Sequence, residues 1–247
     1  MHSLSVASGL RLLESSRPSS AVEKALTLLG LAYPEMSRDE LLALPTGQRD
    51  RLLLKLREST LGRVLPARIE CPQCSDSLET EVDIRSLLEA NESEMPGDDA
   101  LVLREGVLTI RFRLPNSSDL LAAAGCPDAE AARGLLLSRC VLDVSDDGRE
   151  PSAGSTLPES VVDALSETLD RLDPLSEIEL QLRCPGCGHE WAALLEPAEF
   201  LWEELSDRSA RLLMEIDALA RAYGWREEDI LAMSAERRRL YVEMVIQ

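Results

Sequence analysis

The sequence predicts an α+β fold in which a pair of cysteine-bearing β-hairpins, separated by an inserted α/β segment, lies between N-terminal helices and a C-terminal helical bundle. Two observations predict the hairpins. A Cys-x-x-Cys turn stands at residues 71–74 and again at 184–187, and each turn lies between runs that alternate apolar and polar residues. The third observation predicts the helices, because apolar residues recur at spacings of three and four outside the hairpins.

The N-terminal part is predicted to contain an arm and three helices. Residues 1–20 are rich in Ser and Arg and are expected to form a loose arm. Pro34 separates the first two helices, because proline disfavours helical backbone at the residue before it. Gly62 follows the third helix and is a candidate for its end. Helices are expected over 21–31, 37–44 and 47–59, and we assign them to a region spanning 21–66.

The four cysteines of the two turns predict a metal site. Cys71, Cys74, Cys184 and Cys187 offer the ligand set of a tetrahedral structural Zn²⁺ site. Paired turns of this kind usually lie roughly 15–20 residues apart. Here Cys74 and Cys184 are 110 positions apart, so a subdomain must be inserted between them. We therefore predict one structural zinc ion per chain in a zinc-ribbon-like domain. Two disulfides, or cysteines that only fill a core, are the alternatives.

The boundaries of this domain follow from the hairpins. It is predicted to span residues 67–196, with the inserted subdomain at 85–175. His189 follows Cys187 by two residues and could replace one ligand, but four cysteines already complete the shell, so a solvated histidine is expected. Cys126 and Cys140 are expected to be small buried side chains, because nothing near them in sequence would activate a thiol.

The insertion is predicted to contain a hairpin followed by helices. Leu101 to Leu103 and Val107 to Leu114 are expected to pair across Glu105-Gly106, because the second run alternates cleanly. One helix is expected to begin after Ser117 or Ser118, either of which can cap it, and to run through Ala124. Two more are expected over 129–142 and 159–172. Residues 91–99, which carry Pro, Gly and several acids, predict a mobile loop, and 146–158 predict a Gly/Ser/Pro-rich connection.

The C-terminal region, residues 197–247, is predicted to be helical and to offer a partner surface. Pro197 suits the first turn of a long helix and Gly224 its end, with a short helix and a final helix after it. Most of the aromatic residues fall after position 190, next to a basic turn on an acidic protein, which favours an interface. The candidate partner-binding residues are Trp202, Tyr223, Trp225, Arg237, Arg238 and Tyr241.

The composition disfavours several classes of function. The net charge is −19, from 45 acidic and 26 basic residues, and such a chain repels a nucleic-acid backbone. No apolar run approaches 18 residues and the start lacks the features of a signal peptide, so we expect a cytoplasmic protein with no membrane partner. Reduced thiols there favour a metal over disulfides. An enzyme is not expected, because four cysteine ligands leave no open metal position and no phosphate loop or nucleophile motif is visible.

The tail from Phe200 to Met244 resembles a known family. Its elements are Phe-Leu-Trp-Glu-Glu, then Leu-Ala-Arg-Ala-Tyr-Gly-Trp ending at Trp225, then Asp-Ile-Leu-Ala-Met-Ser-Ala-Glu-Arg-Arg-Arg-Leu-Tyr ending at Tyr241. This combination is similar to the baseplate hub assembly chaperones of contractile-tailed bacteriophages and phage-like contractile injection systems. Longer members of that family carry an N-terminal region with cysteine knuckles, and the chain resembles such a long form.

The resemblance implies a non-enzymatic chaperone for a baseplate hub or tail component. The positions that match the motif are Tyr223, Gly224, Trp225, Ile230, Leu231, Arg237, Arg238 and Tyr241. The expected partner is a hub or tail protein, and a homo-oligomer through the long helix is also open. The alternative function is a zinc-ribbon nucleic-acid or transcription accessory protein, which the cysteine turns alone would permit and the net charge of −19 disfavours.

Overall fold

The computed structural model describes residue 4 and residues 9–12, 18–91, 101–146 and 157–246. The chain has the predicted mixed α+β fold, with helices around small antiparallel sheets. After a short helical stretch at residues 9–12, the chain forms helices α1 (Ala21–Ala32), α2 (Arg38–Ala43) and α3 (Thr46–Leu61). The Ser37 hydroxyl and the Glu40 carboxylate form a capping box at the start of α2, and Gly62, at φ 101°, ends α3.

The first core lies between these helices and the start of the long C-terminal helix. Leu28, Leu29, Leu53 and Leu201 are fully buried in it. Leu4 and Leu12 are also buried there, and residues 9–12 are helical, so the prediction of a loose arm is wrong for these residues. The short apolar patch around Leu10 and Leu12 is too brief to give a periodic signal from which burial could be predicted. Residues 1–3, 5–8 and 13–17 of that arm lie outside the described residues.

The two cysteine turns join the strands of two separate antiparallel hairpins. The first pairs β1 (Val64–Glu70) with β2 (Ser77–Asp83), and it is followed by α4 (Ile84–Ala90). A second core joins the bases of both hairpins to α3, and it is built from leucine, isoleucine and valine side chains including Leu54, Leu65 and Ile178. The two hairpins thereby lie side by side although more than 100 residues separate them.

Within the described residues, the part of the insertion after α4 contains a three-stranded sheet and three helices. The strands β3 (Leu101–Glu105), β4 (Leu108–Phe112) and β5 (Val141–Asp146) pair in that order, and β3 and β4 form the predicted hairpin. The helices are α5 (Ser117–Ala123), α6 (Ala129–Cys140) and α7 (Glu159–Leu172). The structure corrects the predicted helix over 129–142, which ends at Cys140 because Val141 already pairs with Phe112 of β4. The predicted loop and connection lie outside the described residues at 92–99 and 147–156.

The second hairpin leads into the C-terminal helices. It pairs β6 (Glu179–Arg183) with β7 (Glu190–Leu194). Helix α8 (Pro197–Tyr223) has 27 residues, which corresponds to a length of about 40 Å. It begins with proline and ends at Gly224 in the left-handed conformation, as predicted. The described chain ends with helices α9 (Glu227–Leu231) and α10 (Ala235–Ile246).

Helix α8 connects two cores. Its first turns pack into the N-terminal core, and Arg57 of α3 donates to the carboxylate of Glu204 at 2.7 and 3.0 Å. Its last turns pack against α9 and α10 through a third core that contains Leu212, Ile216 and Ile230. Within the described residues, no helix combines the length and the apolar character needed to cross a membrane.

Candidate metal centre and C-terminal surface

The two cysteine turns have the same backbone hydrogen bonds. The N–H of Cys71 donates to the carbonyl of Asp76 at 2.9 Å, and the N–H of Ser75 donates to the carbonyl of Cys71 at 2.9 Å. In the second turn, Cys184 donates to His189 at 2.8 Å and Gly188 donates to Cys184 at 2.9 Å. Ser75 and Gly188, which follow the second cysteine of each turn, both have a positive φ. This shared geometry makes each turn a knuckle that directs two sulfurs to one side.

The four sulfurs meet at one point. Cys71 Sγ lies 3.7 Å from Cys187 Sγ, and Cys74 Sγ lies 3.6 Å from Cys184 Sγ, so both short contacts join one hairpin to the other. All four sulfurs lie within 4.8 Å of one another. A tetrahedron with Zn–S bonds of roughly 2.3 Å has edges of about 3.8 Å. A disulfide requires about 2.05 Å, and all four cysteines are free thiols. The cysteine cluster therefore has the spacing of a metal site.

The electrostatics of the cluster also favour a bound cation. Desolvation disfavours the Cys71 thiolate, but the N–H groups of Cys74 and Gln73 donate to its sulfur and the pKa is lowered to about 7. The N–H of Asp76 favours the Cys74 thiolate, yet desolvation and the neighbouring sulfurs raise its pKa to about 12. One thiolate therefore forms readily while another resists ionisation. A divalent cation removes this conflict, because it holds the coordinating sulfurs as thiolates.

The cluster lies at the edge of the protein. The first cysteine of each turn, Cys71 and Cys184, is buried, and the second, Cys74 and Cys187, is exposed. Gly186 of the second knuckle also lies close to the Asp76 carboxylate of the first, since a Cβ at Gly186 would collide with that carboxylate. An ion at this position would be held from the core side and would remain accessible to a chelator from the solvent side.

His189 is not part of the cluster that the described residues form. Its ring stacks on Trp191, with 5.8 Å between ring centroids and an interplanar angle of 11°. Its backbone shapes the site, since its N–H donates to the Cys187 sulfur and its carbonyl accepts from Cys184. Cys140 is buried as expected, and burial together with Asp119 raises its pKa to about 11. Cys126 is only half-buried.

Three of the candidate partner-binding residues form an aromatic cluster where α8 and α10 meet. Tyr223 and Trp225 stack with centroids 4.5 Å apart, and Tyr241 contacts both rings edge-on at 5.8 and 4.9 Å. The guanidinium carbon of Arg237 lies 5.7 Å from the centre of the Tyr241 ring. Tyr223 and Arg237 are exposed, while Trp225 and Tyr241 are half-buried against the third core.

The other two candidates belong to the interior, which corrects their prediction as surface residues. Trp202 is buried in the N-terminal core, because its position on α8 faces α1 and α3. Arg238 is only 6% exposed. Its Nε donates to Glu215 at 2.9 Å and its Nη1 donates to the carbonyl of Met233 at 3.1 Å, so it ties α10 to α8.

Two apolar side chains of α10 that were not predicted as partner-binding residues are also exposed. Leu240 and Met244 lie one turn apart on α10, and Met244 is 63% exposed. Arg237 and Tyr241 share that side of the helix at spacings of three and four. We call Tyr223, Trp225, Arg237, Leu240, Tyr241 and Met244 the C-terminal surface. Leu240 and Met244 lie on α10 outside the face that packs against α8, and only the packing of the two helices shows that they are exposed.

Comparison with known proteins places the chain in a family. A family model described as T4 bacteriophage base plate protein matches residues 10–202. The match includes the N-terminal helices, both knuckles, the insertion and the start of α8, and it overlaps the tail from Phe200 only at its first residues. Neither a curated protein nor a solved structure matches the chain.

Proposed function

Because the chain belongs to the T4 bacteriophage base plate protein family, we propose that it is a non-enzymatic assembly chaperone for a baseplate hub or tail component, stabilised by one structural zinc ion. The family covers 193 of 247 residues, from 10 to 202. The C-terminal surface lies beyond the matched segment, in the tail that resembles the hub assembly chaperones. The matched part thus acts as the scaffold and the tail as the partner-binding unit.

The four-sulfur cluster carries the zinc part of this proposal. Cys71, Cys74, Cys184 and Cys187 have the ligand type and spacing that Zn²⁺ prefers. With four protein ligands the ion has no open coordination position, so its contribution is to hold the two hairpins together rather than to activate a substrate. Purified protein should contain one zinc per chain by mass spectrometry, and none after replacement of Cys184 by Ser.

The C-terminal surface carries the partner part. Exposed leucine, methionine and tyrosine beside an exposed arginine have the composition that favours protein interfaces, in which aromatic residues, Met and Arg are enriched. On a chain with a net charge of −19, an apolar surface that also carries Arg237 is a distinct patch. A hub component with unassembled apolar surface would be shielded by it.

The experiment is a pull-down of the tagged chain from a strain that produces the contractile particle. Wild-type protein should recover a hub or tail component. The variant Leu240→Glu with Met244→Glu should lose it, because two carboxylates would enter an apolar interface. A matched control is Val102→Glu with Leu142→Glu, which changes two exposed apolar residues of the insertion and should retain the partner. Loss of the partner in both variants, or in neither, would contradict the assignment of the surface.

A further inference from the structure

The four sulfurs of the metal centre differ in their access to solvent. In each knuckle the first cysteine is buried and the second is exposed. The two short sulfur contacts each join an exposed cysteine of one knuckle to the buried cysteine of the other, Cys187 to Cys71 at 3.7 Å and Cys74 to Cys184 at 3.6 Å. We call these two contacts the cross-knuckle pairs. Each pair therefore combines a sulfur that a solute can reach with a sulfur that it cannot.

This combination suits a two-step oxidation. Accessible thiolates are the ones that a peroxide oxidises, and the sulfenic acid that results condenses with a second thiol where one lies within reach. In each cross-knuckle pair the buried sulfur is in contact with the exposed one. The two need to approach by roughly 1.6 Å to reach the disulfide length of about 2.05 Å. The buried cysteine is therefore placed to resolve the oxidised one.

We propose that Cys74 and Cys187 are oxidation sites for hydrogen peroxide, and that oxidation exchanges the bound metal for two disulfides, one in each cross-knuckle pair. The release of a metal rests on the zinc assignment of the proposed function. The choice of partners rests on the sulfur contacts alone.

Each disulfide consumes one molecule of peroxide. The exposed thiolate attacks the peroxide, so the O–O bond breaks, an S–O bond forms and hydroxide leaves. The buried thiolate then attacks the sulfenic acid, so an S–S bond forms, the S–O bond breaks and a second hydroxide leaves. The two sulfurs together lose the two electrons that the peroxide gains. Disulfide sulfurs are no longer thiolate ligands, so the metal ion is released.

The competing reaction joins the two cysteines of the same knuckle, whose sulfurs also lie within 4.8 Å of each other. Such a bond closes a ring over two intervening residues, inside a turn that is already closed by the hydrogen bond from Ser75 to Cys71 or from Gly188 to Cys184. A bond across the knuckles adds no ring to either turn, and it joins hairpins whose bases the second core already holds together. The contacts and the retained turns therefore favour the cross-knuckle pairs.

The choice of partners decides what happens to the fold after the metal has left. The cross-knuckle pairs connect positions that are 116 and 110 residues apart. A cross-link between distant positions constrains the unfolded chain more than a cross-link between near ones. Disulfides in these pairs therefore keep the two hairpins joined, whereas disulfides within each knuckle leave the hairpins unjoined.

The test is peptide mapping of the metal-loaded full chain after treatment with hydrogen peroxide and alkylation of the remaining thiols. Trypsin cleaves after lysine and arginine, so each knuckle lies in a single peptide, 69–85 or 184–208. The two peptides should be recovered as one species with both cross-knuckle disulfides, and a zinc-binding dye should detect the released metal. Separate peptides with internal disulfides, metal release without a disulfide, or four thiols that stay free would overturn the proposal.

A single variant distinguishes the two pairings independently. In Cys74→Ser one cross-knuckle pair is intact, so Cys184 should be the cysteine of the cluster that stays free after peroxide treatment. Pairing within the knuckles would instead leave Cys71 free. The matched control Cys126→Ser lies outside the cluster and should give the wild-type map. If Cys74→Ser does not fold, the wild-type map still decides between the pairings.

Metal analysis of the untreated protein separates this proposal from the zinc assignment. Absence of metal before oxidation would contradict the zinc assignment, while the peptide map would still decide the pairing. Thermal unfolding gives a second readout of the pairing. The oxidised protein should unfold at a higher temperature than the reduced, chelator-treated protein, because the disulfides constrain the unfolded chain. An oxidised protein no more stable than the chelator-treated one would contradict cross-links between the hairpins.

Discussion

The two knuckles reach one geometry from unequal sequences. Both have the same pair of backbone hydrogen bonds, but the position with positive φ is Gly188 in the second knuckle, at 76°, and Ser75 in the first, at 60°. Glycine adopts this conformation freely, whereas another L-residue pays about 1–2 kcal/mol for it. The first knuckle is therefore the strained one. Local backbone preference alone therefore does not account for its shape.

The missing contribution comes from the contact between the knuckles. Each short sulfur contact joins a cysteine of the first knuckle to one of the second, and the second core holds the hairpin bases together. We infer that a metal ion bound by both knuckles at once, as proposed above, would offset the strain at Ser75. If so, each knuckle depends on the other, and substitutions in the two should interact.

The largest effect is expected from the ligands. Cys71→Ser and Cys184→Ser should each abolish metal binding and each lower the unfolding free energy by several kcal/mol, since binding of a structural zinc is on the order of 10 kcal/mol and is shared with folding. The double variant should be no less stable than either single variant, because one shared ion is already lost. Chemical denaturation with metal analysis measures this.

Cys126→Ser is the matched control for the ligand variants. This cysteine is half-buried and lies outside the cluster, so its replacement should retain the metal and change stability by less than about 1 kcal/mol. Additive losses from Cys71→Ser and Cys184→Ser would indicate that the two knuckles act independently and would contradict a shared ion.

The next largest effect is expected at Gly188. Gly188→Ala puts a Cβ on a residue with φ 76°, where space is open but the backbone conformation itself is strained, and it should cost about 1–2 kcal/mol with the metal retained. Thermal unfolding of the metal-loaded protein measures the loss. The control Gly134→Ala, on a helix and with open space around it, should cause no comparable destabilisation. Equal losses at the two glycines would contradict the role of φ.

The sequence was informative where the signal is local. The knuckles, the alternating runs around them and the end of α8 at Gly224 all depend on neighbouring residues, and they were predicted. Strand β5 was not predicted, because Val141 and Leu142 continue the apolar spacing of α6. They form a strand because β5 pairs with β4 on the side opposite to β3. The four cysteines were identified by their type and spacing, but which sulfurs touch is decided by the second core.

The burial of polar residues could not be predicted from the sequence, because it depends on partners that no local pattern shows. Arg238 is internal because Glu215, 23 positions away, faces it across two helices, and no local pattern encodes that pairing. Arg49 and Asp50 are sequence neighbours on a helix and would not be expected to face each other. Residues of the insertion and of the segments around the second hairpin lie beside both side chains, and no local pattern at the start of α3 encodes that placement.

A smaller and opposite effect is expected at Ser75. Ser75→Gly removes the strain of a left-handed serine, while glycine adds entropy to the unfolded chain, so the net gain should be about 0.5–1 kcal/mol. The gain should be present in the metal-loaded protein and smaller in the chelator-treated protein, because without the metal the first knuckle is no longer held in the strained conformation. A loss of stability would mean that the serine side chain makes a contribution larger than the backbone strain. Paired denaturation curves of the two forms distinguish these outcomes.

The smallest effect is expected where the knuckles cross. Gly186→Ala places a methyl group against the carboxylate of Asp76, but that side chain is exposed and makes no ion pair with any described residue, so it can rotate away. The cost should be below about 0.5 kcal/mol, and one metal per chain should remain. Metal content and thermal unfolding check both. A marked loss of metal would show that the Asp76 side chain cannot move aside. The first, strained knuckle would then determine the position of the sulfurs, and the second would have to adjust to it.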